Sequence, residues 1–159
     1  MDHLWSPWRY QYLTEHRPSD ACLFCQARDG ADGEHLVVHR GQSNLVMLNL
    51  YPYTSGHLMI APYEHVASLE AAAEETAAEM MRMMRESEKK LRAIYHPSGL
   101  NIGMNIGAAA GAGVAGHIHM HVVPRWAGDS NFMTTIGETR VMPEDLGVTY
   151  QKLKQAWRL

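Results

Sequence analysis

Residues 116–125 read Gly-His-Ile-His-Met-His-Val-Val-Pro-Arg, with His117, His119 and His121 at every second position. Imidazole titrates nearer neutral pH than any other side chain, and its neutral form can ligate a metal or attack an electrophile. Alternation with Ile118, Met120 and Val122 predicts an extended strand. Successive side chains then face opposite ways at about 3.3 Å rise, so the imidazoles line one face about 6.6 Å apart and the apolar residues enter a core. Three buried imidazoles need partners and three exposed ones add no stability, which marks the row as a site.

Two chemistries suit it. In one the imidazoles hold a metal. In the other the middle one is a nucleophile and its neighbours stabilise charge on the group attacked. The ends of the row stand about 13 Å apart at Cα and converge poorly on a single ion, which favours the nucleophile. A tetrahedral phosphate fits, because flanking imidazoles can hydrogen-bond its oxygens while the central one attacks phosphorus. The preceding run, Gly107 to Gly116, contains only Gly, Ala and Val114. Such a loop can bring backbone N–H groups close to phosphate oxygens. Arg125 is expected to add positive charge nearby.

Both cysteines fall in Cys22-Leu23-Phe24-Cys25. A thioredoxin-like redox pair would need a βαβ context that the sequence does not suggest. Two unlinked structural thiols are a second reading. Half of a zinc site is the third, with His65 and His117 as the completing ligands of a Cys2His2 tetrahedron. His3, His16, His35, His39 and His96 have no comparable context and read as surface or packing residues.

The elements that must carry these groups are legible in outline. His35–Arg40 and Asn44–Leu50 read as a hairpin around Gly41-Gln42-Ser43, and His57–Ala61 as a third strand that Pro62 ends. Residues 69–95 lack Gly and Pro and repeat Met80, Met84, Leu91 and Ile94 near a 3.6-residue period, with Glu86 and Lys90 spaced for an i,i+4 pair. This predicts the longest helix. Leu100–Asn105 is a fourth strand, the histidine strand is fifth, and a short helix is expected over Tyr150–Arg158. The class is α+β, an antiparallel sheet with one long helix inserted. Residues 1–20, with Trp5, Trp8, Tyr10 and Tyr12, form an aromatic arm expected to pack on the body or on a neighbouring subunit.

At 159 residues with 46% apolar and 19% charged side chains, one domain is expected over residues 1–159, large enough to fold without disulfides. A net charge of −3 argues against a nucleic-acid polymer as partner but leaves room for a small phosphorylated ligand. No apolar stretch approaches the roughly 18 residues of a membrane span, and no secretory leader pattern opens the chain, so it reads as cytoplasmic.

The pattern H-x-H-x-H-x-x-P-R over His117–Arg125 resembles the histidine triad superfamily of nucleotide hydrolases and transferases. The similarity extends through Asn49-Leu50-Tyr51-Pro52-Tyr53-Thr54-Ser55-Gly56-His57 and Pro62-Tyr63-Glu64-His65. The opening Leu4-Trp5-Ser6-Pro7-Trp8-Arg9 and the stretch Pro124–Phe132 resemble the bacterial branch that includes diadenosine tetraphosphate phosphorylases. The resemblance covers roughly residues 4–145. It implies a nucleotide-cleaving enzyme in which His119 forms a nucleotidyl-imidazole intermediate and His121 and His57 hydrogen-bond phosphate oxygens. His117 would fix His119 or, with Cys22, Cys25 and His65, hold structural zinc. It also implies that Asn49 holds the ribose, Met47 lies against the base, Asn105 lies near the phosphates, and the protein is a homodimer.

One departure concerns substrate binding. Many relatives place hydroxyl or amide side chains in the loop before the triad, whereas here Ala112-Gly113-Val114-Ala115-Gly116 offers only backbone N–H groups, as at Gly113 and Val114. Each lost charge-assisted bond costs about 1.5–3 kcal/mol. Two other functions therefore stand beside the enzyme: a zinc-stabilised nucleotide-binding protein with a sensing or scaffolding role, and a catalytic metal centre made by the triad itself.

Overall fold

The computed structural model describes residues 22–130, 134, 136 and 142–158. The expected aromatic arm lies outside them. Five strands, β1 (Val37–Arg40), β2 (Asn44–Leu48), β3 (Leu58–Pro62), β4 (Gly99–Met104) and β5 (Met120–Arg125), form one sheet in the order β1-β2-β3-β5-β4. Every pairing is antiparallel. Among the described residues, three α-helices complete the α+β architecture: α1 (Leu23–Asp29), α2 (Glu74–Tyr95) and α3 (Leu146–Ala156). Among the described residues, no helix is long and apolar enough to cross a membrane.

The last two strands exchange their sequential places for a packing reason. In β5, Met120 and the run from Val122 to Pro124 are buried, so this strand takes an inner position. In β4, Asn101, Ile102 and Gly103 are all exposed, which suits an edge.

Each sheet face has its own core. Val46, Leu48, Leu58, Ile60, Met120 and Val122 meet Met80, Met83 and Leu91 of α2 and Tyr150 and Leu153 of α3. On the opposite face, Leu45, Met47, Met59 and Ala61 meet Phe24 and Ala27 of α1. That short helix packs over β1, β2 and β3. The long helix begins at Glu74, not at residue 69, and carries Glu74 and Glu75 in its first turn, where carboxylates favour the positive end of the helix dipole. Its exposed face pairs Glu86 with Lys89 at i,i+3, in place of the expected Lys90, and Glu88 with Arg92 at i,i+4. The last helix starts four residues earlier than expected because the Asp145 side chain accepts the Gly147 and Val148 N–H groups at its N-terminus.

Glu79 locks α2 onto the β1–β2 turn. Its carboxylate accepts the backbone N–H of Gln42 at 2.7 Å and of Ser43 at 2.8 Å, and the Asn44 amide at 2.7 Å. Burial raises its pKa, but the bonds from Asn44 and the turn backbone outweigh that and hold it below the usual value. Gly41 permits the approach: a Cβ there would stand 2.1 Å from Met83 Cε and 2.6 Å from Glu79 Oε1.

Next to the same turn, Arg40 caps α1. Its guanidinium donates to the carbonyls of Ala27, Arg28 and Gly30 at 2.8–3.1 Å, and its Nε to Asp32 at 2.7 Å. The helix that carries Cys25 is thereby fastened to the sheet.

Candidate active site and metal centre

The three histidines do not share one strand. Only His121 lies within β5, whereas His117 and His119 precede it in a segment tied to the chain after β3 by the Ile118 N–H bond to the Val66 carbonyl, 2.7 Å. The expected alternation holds: Ile118, Met120 and Val122 are buried. Leaving the ladder lets the rings converge, so that His119 and His121 stand edge-to-face with centroids 4.9 Å apart.

Each ring's tautomer follows from its partners. His119 Nδ1 lies 2.9 Å from the His117 carbonyl, an acceptor only, so Nδ1 carries the proton and Nε2 is bare. Burial lowers the His119 pKa, against the opposing pull of that bond, and favours the neutral ring. His57 Nδ1 accepts the Tyr53 N–H at 3.1 Å, so its protonated Nε2 donates to His121 Nδ1 at 2.9 Å. His121 must then hold its own proton on Nε2. Burial, and secondarily the neighbouring His119, push its pKa down to about 4. A bare nitrogen and an N–H donor thus stand side by side.

His57 is fully buried, with its Nε2 bonded to His121 at 2.9 Å. Asp129 accepts from Arg125 Nε and Nη2 at 2.6 and 2.7 Å, and Asn101 Oδ1 accepts from Nη1 at 2.7 Å, so the charge of Arg125 is matched locally.

Around the rings, Asn49 ends next to β2 with Nδ2 3.5 Å from His57 Nδ1 and Oδ1 accepting the Tyr51 N–H. Met47 is 5% exposed, inside the core cluster under α1. Asn105 donates to the Gly111 carbonyl at 3.4 Å. Ala110, Gly111 and Ala112 use their N–H groups within the glycine-rich turn, whereas those of Gly113 and Val114 make no backbone bond among the described residues.

The four proposed metal ligands come together from three segments. The ligating atoms of Cys22, Cys25, His65 and His117 all lie within 4.8 Å of one another. His117 Nδ1 is 3.2 Å from His65 Nδ1, 3.3 Å from Cys22 Sγ and 3.7 Å from Cys25 Sγ, and Cys25 Sγ is 3.3 Å from His65 Nδ1. A tetrahedron with bonds of about 2.0 Å to nitrogen and about 2.3 Å to sulfur has edges of about 3.3 Å between nitrogens and about 3.6 Å between nitrogen and sulfur. The donor set fits zinc. His117 Nε2–H donates to the Pro62 carbonyl at 2.8 Å, which leaves Nδ1 unprotonated toward the cluster. Burial, the Cys22 thiol beside it and the charge of Cys22 together raise the Cys25 pKa, a rise that a bound cation reverses. Among the described residues this is the one group that could hold a metal; the triad rings are committed to one another and to backbone, which speaks against a triad-based metal centre.

Helix α1 is an element that the sequence did not lead us to expect. Cys22 is the residue before its first turn, and Phe24 and Ala27 form its buried side; that i,i+3 apolar pair was the available signal. Phe24 packs against both His117 and His119, with ring centroids 5.1 and 4.8 Å away.

The family model described as HIT domain matches residues 32–128. The "AP-4-A phosphorylase" of Mycobacterium tuberculosis is 39% identical over 99% of this chain and 85% of its own length. Among solved structures, a Zn-bound histidine triad family protein from Mycobacterium smegmatis superposes with a TM-score of 0.70 at 30% identity, over 87% of this chain and 94% of that one. A diadenosine triphosphate hydrolase from Plasmodium falciparum, 14% identical, shares the fold at a TM-score of 0.61 over 76% of this chain and 73% of its own.

Proposed function

The chain belongs to the HIT domain family, and we propose that it cleaves a dinucleoside polyphosphate or related nucleotide at the α-phosphate through a nucleotidyl intermediate on His119. The observation that carries this reading is the pair of tautomers: His119 offers a bare Nε2 beside the Nε2–H of His121. Nε2 of His119 attacks phosphorus, a P–N bond forms, and the P–O bond to the remaining phosphates breaks, its electron pair leaving with them. His121 donates to a non-bridging oxygen as charge builds there. The oxygen of water or inorganic phosphate then attacks the same phosphorus and returns the electron pair to Nε2. Phosphate as acceptor yields a nucleoside diphosphate, and water a monophosphate.

In this reading Asn49 holds the ribose, Met47 meets the base through its small open edge, and Gly113 and Val114 present backbone N–H groups to the phosphates beside Asn105. Cys22, Cys25, His65 and His117 hold zinc, which when bound supplies a structural cross-link and no step of the reaction. The homodimer uses the outer edge of β4, which pairs with no other strand among the described residues and where Ile102 is 42% exposed. The working compartment is the cytoplasm.

The decisive experiment incubates the protein with α-labelled diadenosine tetraphosphate and quenches it in acid. Label retained on the wild-type chain and absent from His119→Gly, which still binds nucleotide, is the expected result. Near-normal turnover in His119→Gly would overturn the mechanism. Tight binding with no turnover of any nucleotide would favour the sensing or scaffolding role.

A further inference from the structure

Cys22 and Cys25 bracket the first turn of α1. Cys22 precedes the helix, and its carbonyl already accepts the Gln26 N–H at 3.0 Å, so the two cysteines stand in the helical i,i+3 relation. Residues so placed have Cα atoms about 5 Å apart, inside the span of about 4.4–6.8 Å that a disulfide bridges. Their sulfurs lie within 4.8 Å of each other, and both thiols are free. Both residues are half-buried and His65 beside them is exposed, so a small reagent reaches the sulfurs from solvent, whereas His117 is fully buried beneath them. Reversible reaction with a peroxide requires this combination, a thiol that solvent reaches and a second one beside it to resolve the product.

We infer that Cys22 and Cys25 form a reversible oxidation site, at which a peroxide closes a disulfide, takes both sulfur donors from the cluster and thereby lowers turnover at His119. The inference rests on the proposed roles of His119 as nucleophile and of the cluster as a zinc site. One thiolate attacks the peroxide, the O–O bond breaks, and hydroxide leaves with its electron pair, so that a sulfenic acid remains. The second thiolate attacks the sulfenic sulfur, the S–S bond forms and a second hydroxide departs. Two electrons have then passed from sulfur to oxygen, and each hydroxide takes a proton from solvent to become water. The thiolate is the metal-binding form of cysteine, and a disulfide has none. His65 and His117 alone remain, two ligands where a structural zinc site has four. The change reaches His119 by two routes. The cluster joins the start of α1 to His65 and His117, and the His117 carbonyl holds the His119 Nδ1 proton at 2.9 Å. Phe24, between the two cysteines, packs on the His119 ring with centroids 4.8 Å apart. Drawing the sulfurs together to about 2.05 Å turns the backbone that carries Phe24. A disulfide open to solvent is also readily reduced, which makes the change reversible.

The test treats the zinc-loaded protein with hydrogen peroxide, then with dithiothreitol and fresh zinc. Peptide mass, zinc captured by a chromogenic chelator and turnover of diadenosine tetraphosphate are followed together. The peptide that carries both cysteines is expected to lose two hydrogens, with one zinc released for each disulfide formed. Turnover is expected to fall about tenfold, the low end for a lost supporting contact. Dithiothreitol with zinc restores all three. The chain has only two cysteines, and dithiothreitol does not reverse methionine oxidation, so a reversible effect is theirs. Oxygen added to the sulfurs without a disulfide overturns the inference, as does a disulfide that leaves zinc bound or turnover unchanged. If the protein takes up no zinc, the metal reading fails by itself. A reversible fall in turnover on disulfide closure then still supports the oxidation site, and unchanged turnover overturns it. If no nucleotide is turned over, the catalytic reading fails by itself and NMR of the His119 ring nitrogens decides. A signal that the disulfide alters and dithiothreitol restores supports the link to His119, and an unmoved signal overturns it.

Discussion

The carbonyl oxygen of His117 accepts the Nδ1 proton of His119 at 2.9 Å, while the imidazole of the same His117 lies among Cys22, Cys25 and His65. One residue therefore joins the metal-type cluster to His119, ring on one side and backbone on the other. Phe24, held between the two cysteines on α1, makes a second connection by packing on both rings.

Metal removal should therefore affect folding and catalysis together. Zinc at about a hundred times its dissociation constant stabilises a folded protein that alone binds it by about 2.7 kcal/mol. Thermal unfolding with and without a chelator, alongside metal analysis, is expected to show one zinc per chain and a lower Tm on its removal. Cys22→Ser should reproduce the lower Tm without chelator; an unchanged Tm in both would remove the cluster's structural role.

His57 acts through His121. His57→Ala frees His121 to adopt the other tautomer, with a bare Nε2 facing the phosphate. The expected loss in kcat is about 10–100-fold, the usual range for a residue that orients a functional imidazole. NMR of ring nitrogens should show His121 protonated on Nε2 in the wild type and mixed in the variant. A variant with a fully retained Nε2–H signal and normal kcat contradicts the assignment.

The same ring makes stability depend on pH. His121 has a folded pKa of about 4 against an ordinary 6.5, so between these values the unfolded chain binds the extra proton. Its contribution is therefore intact above pH 6.5 and declines as pH falls toward 4, by at most about 1.4 kcal/mol per pH unit. Denaturant unfolding across this window should give a shallower slope for His121→Asn than for the wild type. Identical slopes would show that burial does not keep this ring neutral.

Glu79 gives the opposite case, a carboxylate with a depressed pKa. Its contribution is present above the ordinary 4.5 and is lost as pH falls through the lower folded value. At pH 7, Glu79→Gln is expected to cost about 1.5–3 kcal/mol, with the difference from wild type closing at strongly acid pH. Gly41→Ala should cost about 1–3 kcal/mol by pushing against the pinned carboxylate, and less in a Glu79→Gln background. Strict additivity of the two substitutions would dissociate Gly41 from Glu79.

Residue type and local spacing carried much of this protein. The 3.6-residue repeat in α2 and the Val- and Leu-rich hairpin are short-range patterns that survive folding as the elements they suggested, whereas of the every-second-residue histidines only His121 enters a strand. The Cys/His cluster was also legible, because thiols and imidazoles at such spacing suggest a shared ligand set in a chain with only two cysteines. Tertiary structure alone decided the rest. Insertion of β5 between β3 and β4 reflects which strand could be buried on both faces. The proton positions on His119 and His121 depend on a carbonyl, a turn N–H and a ring up to 64 residues away. The bond between His57 and His121 and the ion pair of Arg125 with Asp129 have the same origin: hydrogen bonds are properties of neighbours in space, and sequence periodicity records only neighbours along the chain.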